Sequence, residues 1–206
     1  MQGIALGAVL QGIQVQGRHY AGGWWDWLSP FSVLTGFALL AGYATLGATW
    51  IILKTEGPLQ QRAFRLSLGC GIALMAGIAA VSLATPWLQF SYYQRWFAWP
   101  NILMTSQVPL LVLITTALFL LALRRRWERL PFLLTLTLFV LAYIGLGVSI
   151  FPYLVPESIS ITDAAAPAVS QRFLLVGTAV LIPIIIGYTA HAYWVFRGKV
   201  ATTGYH

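Results

Sequence analysis

The stretch Gly17–Gly57, GRHYAGGWWDWLSPFSVLTGFALLAGYATLGATWIILKTEG, decides the fold. Its centre, Ser29 to Lys54, is 26 residues without an internal charge. As a helix rising roughly 1.5 Å per residue it would be about 39 Å long, more than the roughly 30 Å hydrocarbon core of a bilayer. Ser29 suits the N-cap, and Pro30 suits the first turn, where its missing N–H has no intrahelical partner. Upstream, Tyr20, Trp24, Trp25 and Trp27 form a cluster of the kind that settles at headgroup level; downstream, Lys54 and Glu56 mark the exit. Small residues recur at helical spacing (Ala38 and Gly42; Ala41, Thr45 and Thr49), so a second helix can approach this backbone closely.

The rest of the chain repeats the pattern. Of 206 residues, 59% are hydrophobic and 8% charged, with a mean hydropathy of +0.78. That composition describes an integral membrane protein rather than a soluble domain. A net charge of +7 does not imply nucleic acid, because the charges lie between apolar spans. Cys70 is the single cysteine, so no intramolecular disulfide forms. MQGIALGAVLQG at the start is apolar but lacks the basic region and cleavage site of a signal peptide.

Further spans are expected at about 63–84, ended by Pro86, at 102–123, at 131–151 and at 173–196. Pro109 is read as a kink or first-turn proline in the third, and Pro183 as a bend in the fifth. Residues 1–13 are too few to span and read as the last turns of a helix whose beginning is missing. The expected fold is an all-α polytopic membrane helix bundle, with five full transmembrane helices plus a partial N-terminal one. It forms a single transmembrane domain over 1–206. Helix packing is assigned to Gly42 on the first span and to Gly69, Ala73 and Gly77 on the second.

Residues 87–101, WLQFSYYQRWFAWPN, hold seven aromatics and one charge, Arg95. They read as an interfacial aromatic belt, with a quinone-contacting surface as the alternative. Residues 151–167, FPYLVPESISITDAAAP, contain three prolines, Glu157 and Asp163, and read as a structured acidic loop. Nine of the twelve Lys and Arg follow the first, third and fifth spans; the opposite side has only Arg18, Arg95 and Arg172. That alternation puts the basic loops and the C-terminus in the cytoplasm.

Chemistry-bearing constellations are sparse. His19 is in a loop and His206 is terminal, which leaves His191 as the sole histidine within a span, and Tyr188 one turn earlier is its expected hydroxyl partner. Met75 and Met104, the other axial donors to consider for a heme, are on different helices. No Cys/His spacing suggests zinc or iron–sulfur binding, and no hydroxyl is paired with a buried base. No expected span contains a carboxylate, so a transbilayer proton relay is not expected of this chain alone. The outer-surface candidates for a proton or an interface are Asp26, Arg18, Glu157 and Asp163, with Asp26 expected to cap its loop or pair with Arg18. No catalytic, cofactor-binding or metal residue is assigned.

Several long strings, in one order, carry a resemblance: GRHYAGGWWDWLSPF, LTGFALLAGYATLGATWIILKTEG, FPYLVPESISITDAAAP, LVGTAVLIPIIIGYTAHAYWVFRGKV and the terminal GYH. Together they resemble subunit II of the cytochrome bd-type ubiquinol oxidases, particularly the cyanide-insensitive branch. The resemblance implies further helices before this stretch, so the chain is expected to be the C-terminal portion of a longer subunit. It implies a bacterial inner-membrane complex that oxidises quinol and reduces dioxygen to water. Heme b and heme d would belong to the partner, subunit I, and no heme to this chain. Quinone or quinol and lipid are the small-molecule partners implied, a structurally held quinone among them. A small membrane transporter or channel is the competing reading; it calls for charged residues inside spans and an inverted repeat, and neither is visible.

Overall fold

In the computed structural model the described residues are 1–17 and 19–199. α1 (Gln2–Gln11) leads into a short ribbon, β1 (Val15–Gln16) and β2 (His19–Tyr20), then α2 (Pro30–Lys54) and α3 (Gly57–Leu88). α4 (Phe90–Phe97), α5 (Ile102–Thr105), α6 (Gln107–Arg124) and α7 (Leu130–Ile150) follow. A second ribbon, β3 (Tyr153–Val155) and β4 (Ile159–Ser160), precedes α8 (Ile161–Ala164) and α9 (Ala168–Val195). Among the described residues five helical stretches are long and apolar enough to cross a membrane: α2, α3, α5 with α6, α7 and α9. The chain is an all-α, multi-pass membrane bundle with a short apolar helix before the first span.

α2 starts where its sequence says it should. Ser29 accepts from the Ser32 N–H at 3.0 Å while the Ser32 hydroxyl oxygen accepts from the Ser29 N–H at 2.8 Å, a reciprocal cap that satisfies two orphan donors. α2 is flanked by α1, α3 and α7, and α6 packs on α3 and α7. The two apolar clusters sit near opposite ends. Ile52, Ala63, Phe119 and Leu123 close the basic end, and Leu10, Phe31 and Tyr92 close the Trp-rich end. Between them the helices meet on small residues, consistent with association driven by shape in a medium as apolar as their own side chains.

Four expectations change. The second span is longer than 63–84: α3 begins at Gly57, with Pro58 in its first turn, and runs two residues past Pro86. Proline forfeits one hydrogen bond to the preceding turn, which ends a helix gradually when it falls in the last turn. The third span is broken at Ser106 into α5 and α6, and Pro109 lies in the first turn of α6. Residues 87–101 contain a helix, α4, with aromatics on its exposed face. Residues 151–167 fold as a ribbon plus one helical turn, not a loop alone; Tyr153 pairs with Ser160 and Val155 with Ile159.

α9 stands apart. It has no buried residue along its 28 positions and meets the bundle at its C-terminal end. There Tyr193 meets Trp50 edge-on at 5.8 Å, and Lys54 Nζ donates to the Phe196 carbonyl at 2.6 Å. Lys199 Nζ reaches Glu128 at 2.7 Å and Glu56 at 3.2 Å, so one ammonium beyond α9 joins the α2–α3 and α6–α7 connections.

Candidate functional site

Three of the four outer-surface candidates are described, all at the Trp-rich end; Arg18 and His206 lie outside the described residues. Asp26 closes its own loop. Its Oδ2 accepts from the Gly23 N–H at 2.6 Å, and the Tyr20 hydroxyl lies 3.2 Å from the same oxygen and 2.8 Å from the Gly23 carbonyl. Lost hydration, then the bond and charge of Asp26, hold the Tyr20 phenol above its usual range. Asp163 is the third residue of α8 and caps it reciprocally with Ser160: its N–H donates to Ser160 Oγ at 3.1 Å, and Ser160 Oγ donates to Asp163 Oδ2 at 2.5 Å.

Glu157 sits at the tip of the β3–β4 ribbon in the left-handed region, at φ 61. It borders a polar cavity of about 520 Å³ shared with Gln11, Gln14, Gln16, Gln89 and Ser158. The cavity floor is tied together: Gln89 Nε2 donates to the Gln11 carbonyl at 3.2 Å, and the Ser29 hydroxyl donates to the Gln11 side chain. Tyr92, 1% exposed, donates to the Leu10 carbonyl at 2.8 Å. Its phenol is pushed up to about 12 by burial, with Arg95 opposing and Glu157 adding to the shift. The three carboxylates therefore do separate work: a loop closure, a helix cap and a cavity rim. The structure does not gather them into one site.

The packing glycines divide. A Cβ on Gly77 would sit 2.7 Å from Ala38 Cβ and 3.0 Å from Ala38 Cα, and one on Gly42 would sit 2.8 Å from Phe139 Cζ. Both positions are points of close helix approach. Gly69 is different: a Cβ there meets nothing within 4 Å, and Ala73 is likewise exposed. The buried row of α3 is instead Ala63, Ser67, Gly71, Leu74 and Gly77, whose mixed steps of four and three stay on one face where a strict step of four drifts off it. Gly71 replaces Gly69, its Cβ position lying 2.6 Å from Phe119.

Sequence reading also passed over Gly3 and Gly7. The four-residue spacing was available in QGIALGA and matches small-residue helix packing. A Cβ on Gly3 would lie 2.8 Å from Gly36 Cα, and one on Gly7 would lie 2.6 Å from Ser32 Cα. Thr35 bridges the same seam, donating to the Gly3 carbonyl at 2.7 Å.

The three donors weighed for a heme lie apart. His191 is exposed on α9, with its ring 6.0 Å from Trp194 rather than hydrogen-bonded to Tyr188. Met75 packs against the Ile52–Phe119 cluster, and Met104 is 80% exposed on α5. Among the described residues no group of three or more His, Cys, Asp or Glu converges on a point that could hold a metal.

The sequence is similar to that of known proteins. Residues 1–196 match the family described as cytochrome bd terminal oxidase subunit II. Subunit 2 of the cytochrome bd-I ubiquinol oxidase of Escherichia coli K12 is 25% identical over 240 aligned positions, covering 96% of this chain and 61% of that protein. The probable cytochrome oxidase subunit 2 of Haemophilus influenzae is 33% identical over 84 positions, 38% of this chain and 22% of its own length. The chain thus spans about three-fifths of the length of the Escherichia coli relative. A multi-pass bundle with small-residue seams, matched from its first residue to the end of its last span, belongs to the cytochrome bd terminal oxidase subunit II family.

Proposed function

We propose that this chain is the non-heme structural partner of a heme-bearing subunit I, in a respiratory oxidase that couples quinol oxidation to the reduction of dioxygen to water. Hemes b and d are assigned to subunit I, and quinone to the complex. The observation that carries the reading is the chemistry of the buried faces. Their polar side chains are chiefly hydroxyls donating back to their own helices: Thr45 to Ala41 at 2.8 Å, Thr49 to Thr45 at 2.8 Å, Thr135 to Pro131 at 2.8 Å and Ser149 to Gly145 at 3.0 Å. An interior built this way supports close packing, whereas a relay or transport path needs ionisable groups facing a cavity.

The chain works as one transmembrane domain in a bacterial inner membrane, with the Lys54, Arg124–Arg129 and Lys199 end in the cytoplasm. The Lys and Arg imbalance supports that orientation. Purification of the tagged chain from membranes tests the assignment. A heme-bearing subunit should accompany it, and the preparation should consume oxygen when given quinol. The chain purified alone with a heme spectrum of its own would overturn the scaffold role. A reporter active only outside the cytoplasm, fused after Lys199, should stay silent.

A further inference from the structure

α4 lies at the Trp-rich end, directly after a 32-residue helix that at roughly 1.5 Å per residue is longer than a bilayer core is thick. It is therefore at headgroup level, and its two sides differ. One side is pinned to the bundle: Tyr92 on Leu10, Arg95 Nη1 on the Ser149 carbonyl at 2.6 Å, and Trp96 Nε1 on Ser149 Oγ at 3.1 Å. The other is a row of exposed rings, Phe90, Tyr93 and Phe97, with successive centroids 6.4 and 5.1 Å apart.

On the same helix opens a cavity of about 390 Å³ lined by Ser91, Gln94, Arg95, Ala98 and Asn101. Each polar side chain in it can donate a hydrogen bond, and none is a carboxylate. Arg95 is held in place by the Ser149 carbonyl and lies over the Tyr153 ring at 5.6 Å. It makes no ion pair among the described residues. The Ser91 hydroxyl is buried without a partner among the described residues. A fixed guanidinium with spare N–H groups, two side-chain amides and a hydroxyl form a donor set that calls for an anionic acceptor with several oxygens.

We propose that this cavity binds the phosphate of an anionic phospholipid, whose glycerol and first acyl carbons lie along the Phe90–Tyr93–Phe97 row. A free phosphate would satisfy the donors but would have no use for the rings. A lipid uses both, and aromatic rings favour the same depth.

The test uses the protein purified from membranes in detergent with the subunits that accompany it. Its melting temperature is followed while adding phosphatidylglycerol, an uncharged glycosyl diacylglycerol, or sodium phosphate. Phosphatidylglycerol should raise the melting temperature and the other two should not. Gln94→Ala with Asn101→Ala, side chains without a hydrogen bond among the described residues, should raise the half-saturating lipid at least about tenfold, the loss expected for even one charge-assisted bond. Arg95→Gln should abolish the shift. If Arg95→Gln fails to accumulate, the double variant decides alone. An equal shift with the glycosyl lipid, an equal shift with sodium phosphate, or a double variant that titrates like the parent would each overturn the proposal.

Discussion

Replacing the three sequence-assigned packing glycines by alanine should give three different results. At Gly77 the new methyl would lie 2.7 Å from one carbon of Ala38 and 3.0 Å from its Cα. Carbon atoms prefer separations of about 3.5–4.0 Å, so α2 and α3 must part by close to 1 Å. Ala38 offers no rotamer through which to yield, and overpacking of this kind costs about 1–3 kcal/mol. At Gly42 the obstacle is the far edge of the Phe139 ring, with Leu74 Cδ1 at 3.6 Å. A ring can turn, so the cost should fall to about 1 kcal/mol or less, at the low end of the same range. At Gly69 nothing lies within 4 Å, and alanine should stabilise the helix by roughly 0.5–1 kcal/mol through backbone entropy alone. Unfolding of each variant in mixed detergent micelles, followed by circular dichroism against denaturing-detergent mole fraction, reads the order directly. Gly69→Ala as damaging as Gly77→Ala would mean that the buried row of α3 is assigned to the wrong face.

Three shorter tests follow. Tyr92→Phe removes the hydroxyl that serves the buried Leu10 carbonyl and should cost about 1–2 kcal/mol in the same assay; no change would mean that water reaches that carbonyl. Bonds from Lys199 first and Gln60 second hold the Glu128 carboxyl below its usual 4.5, and Glu128 in turn holds Lys199 above its usual 10.5. A depressed acid stabilises above its unfolded value and loses that effect as pH falls through its folded one; a raised base does the reverse. The α9 tether should therefore persist between about pH 4.5 and 10.5 and loosen outside that window or in high salt. Mobility of a spin label at Gly198→Cys, in a Cys70→Ala background, would report it, and a flat response would mean that the Trp50–Tyr193 contact and the Lys54–Phe196 bond hold the helix without Lys199. Finally, His191→Ala should leave the reduced-minus-oxidised spectrum of the assembled oxidase unchanged; loss of one heme's bands with assembly intact would make this subunit a direct participant in electron transfer.

How legible the molecule is from its sequence depends on how local each determinant is. α2 is written within its own residues: a serine cap, a proline in the first turn, an uncharged run and a lysine exit. The Asp163 cap is as local, three residues from its partner. α4 left a weaker trace, because residues 87–101 announce themselves by aromatic composition; the spacing of Phe90, Tyr93 and Phe97 becomes a face only once Tyr92 and Arg95 are seen pinned behind it. Gly77 and Gly71 differ from Gly69 by which neighbour arrives, and Ala38 and Phe119 come from other helices. Lys199, Glu56 and Glu128 belong to three segments separated by more than a hundred residues of chain in all, so no local pattern announces their meeting. Their convergence is a property of the bundle.

Hydroxyls that close onto their own helix have a consequence for how the chain is made and how it can vary. Thr45, Thr49, Thr85, Thr135 and Ser149 enter lipid with their hydroxyls already satisfied within their own helices, so these groups need not wait for a neighbouring helix. What the neighbour later recognises is a contour: the notch at Gly77, the recess at Gly42, the groove of Gly3 and Gly7. A contour can be cut from many alphabets. The contour asks only that bulk stay absent from those places, so the residues around them are free to change, and three aligned positions in four differ from the Escherichia coli protein.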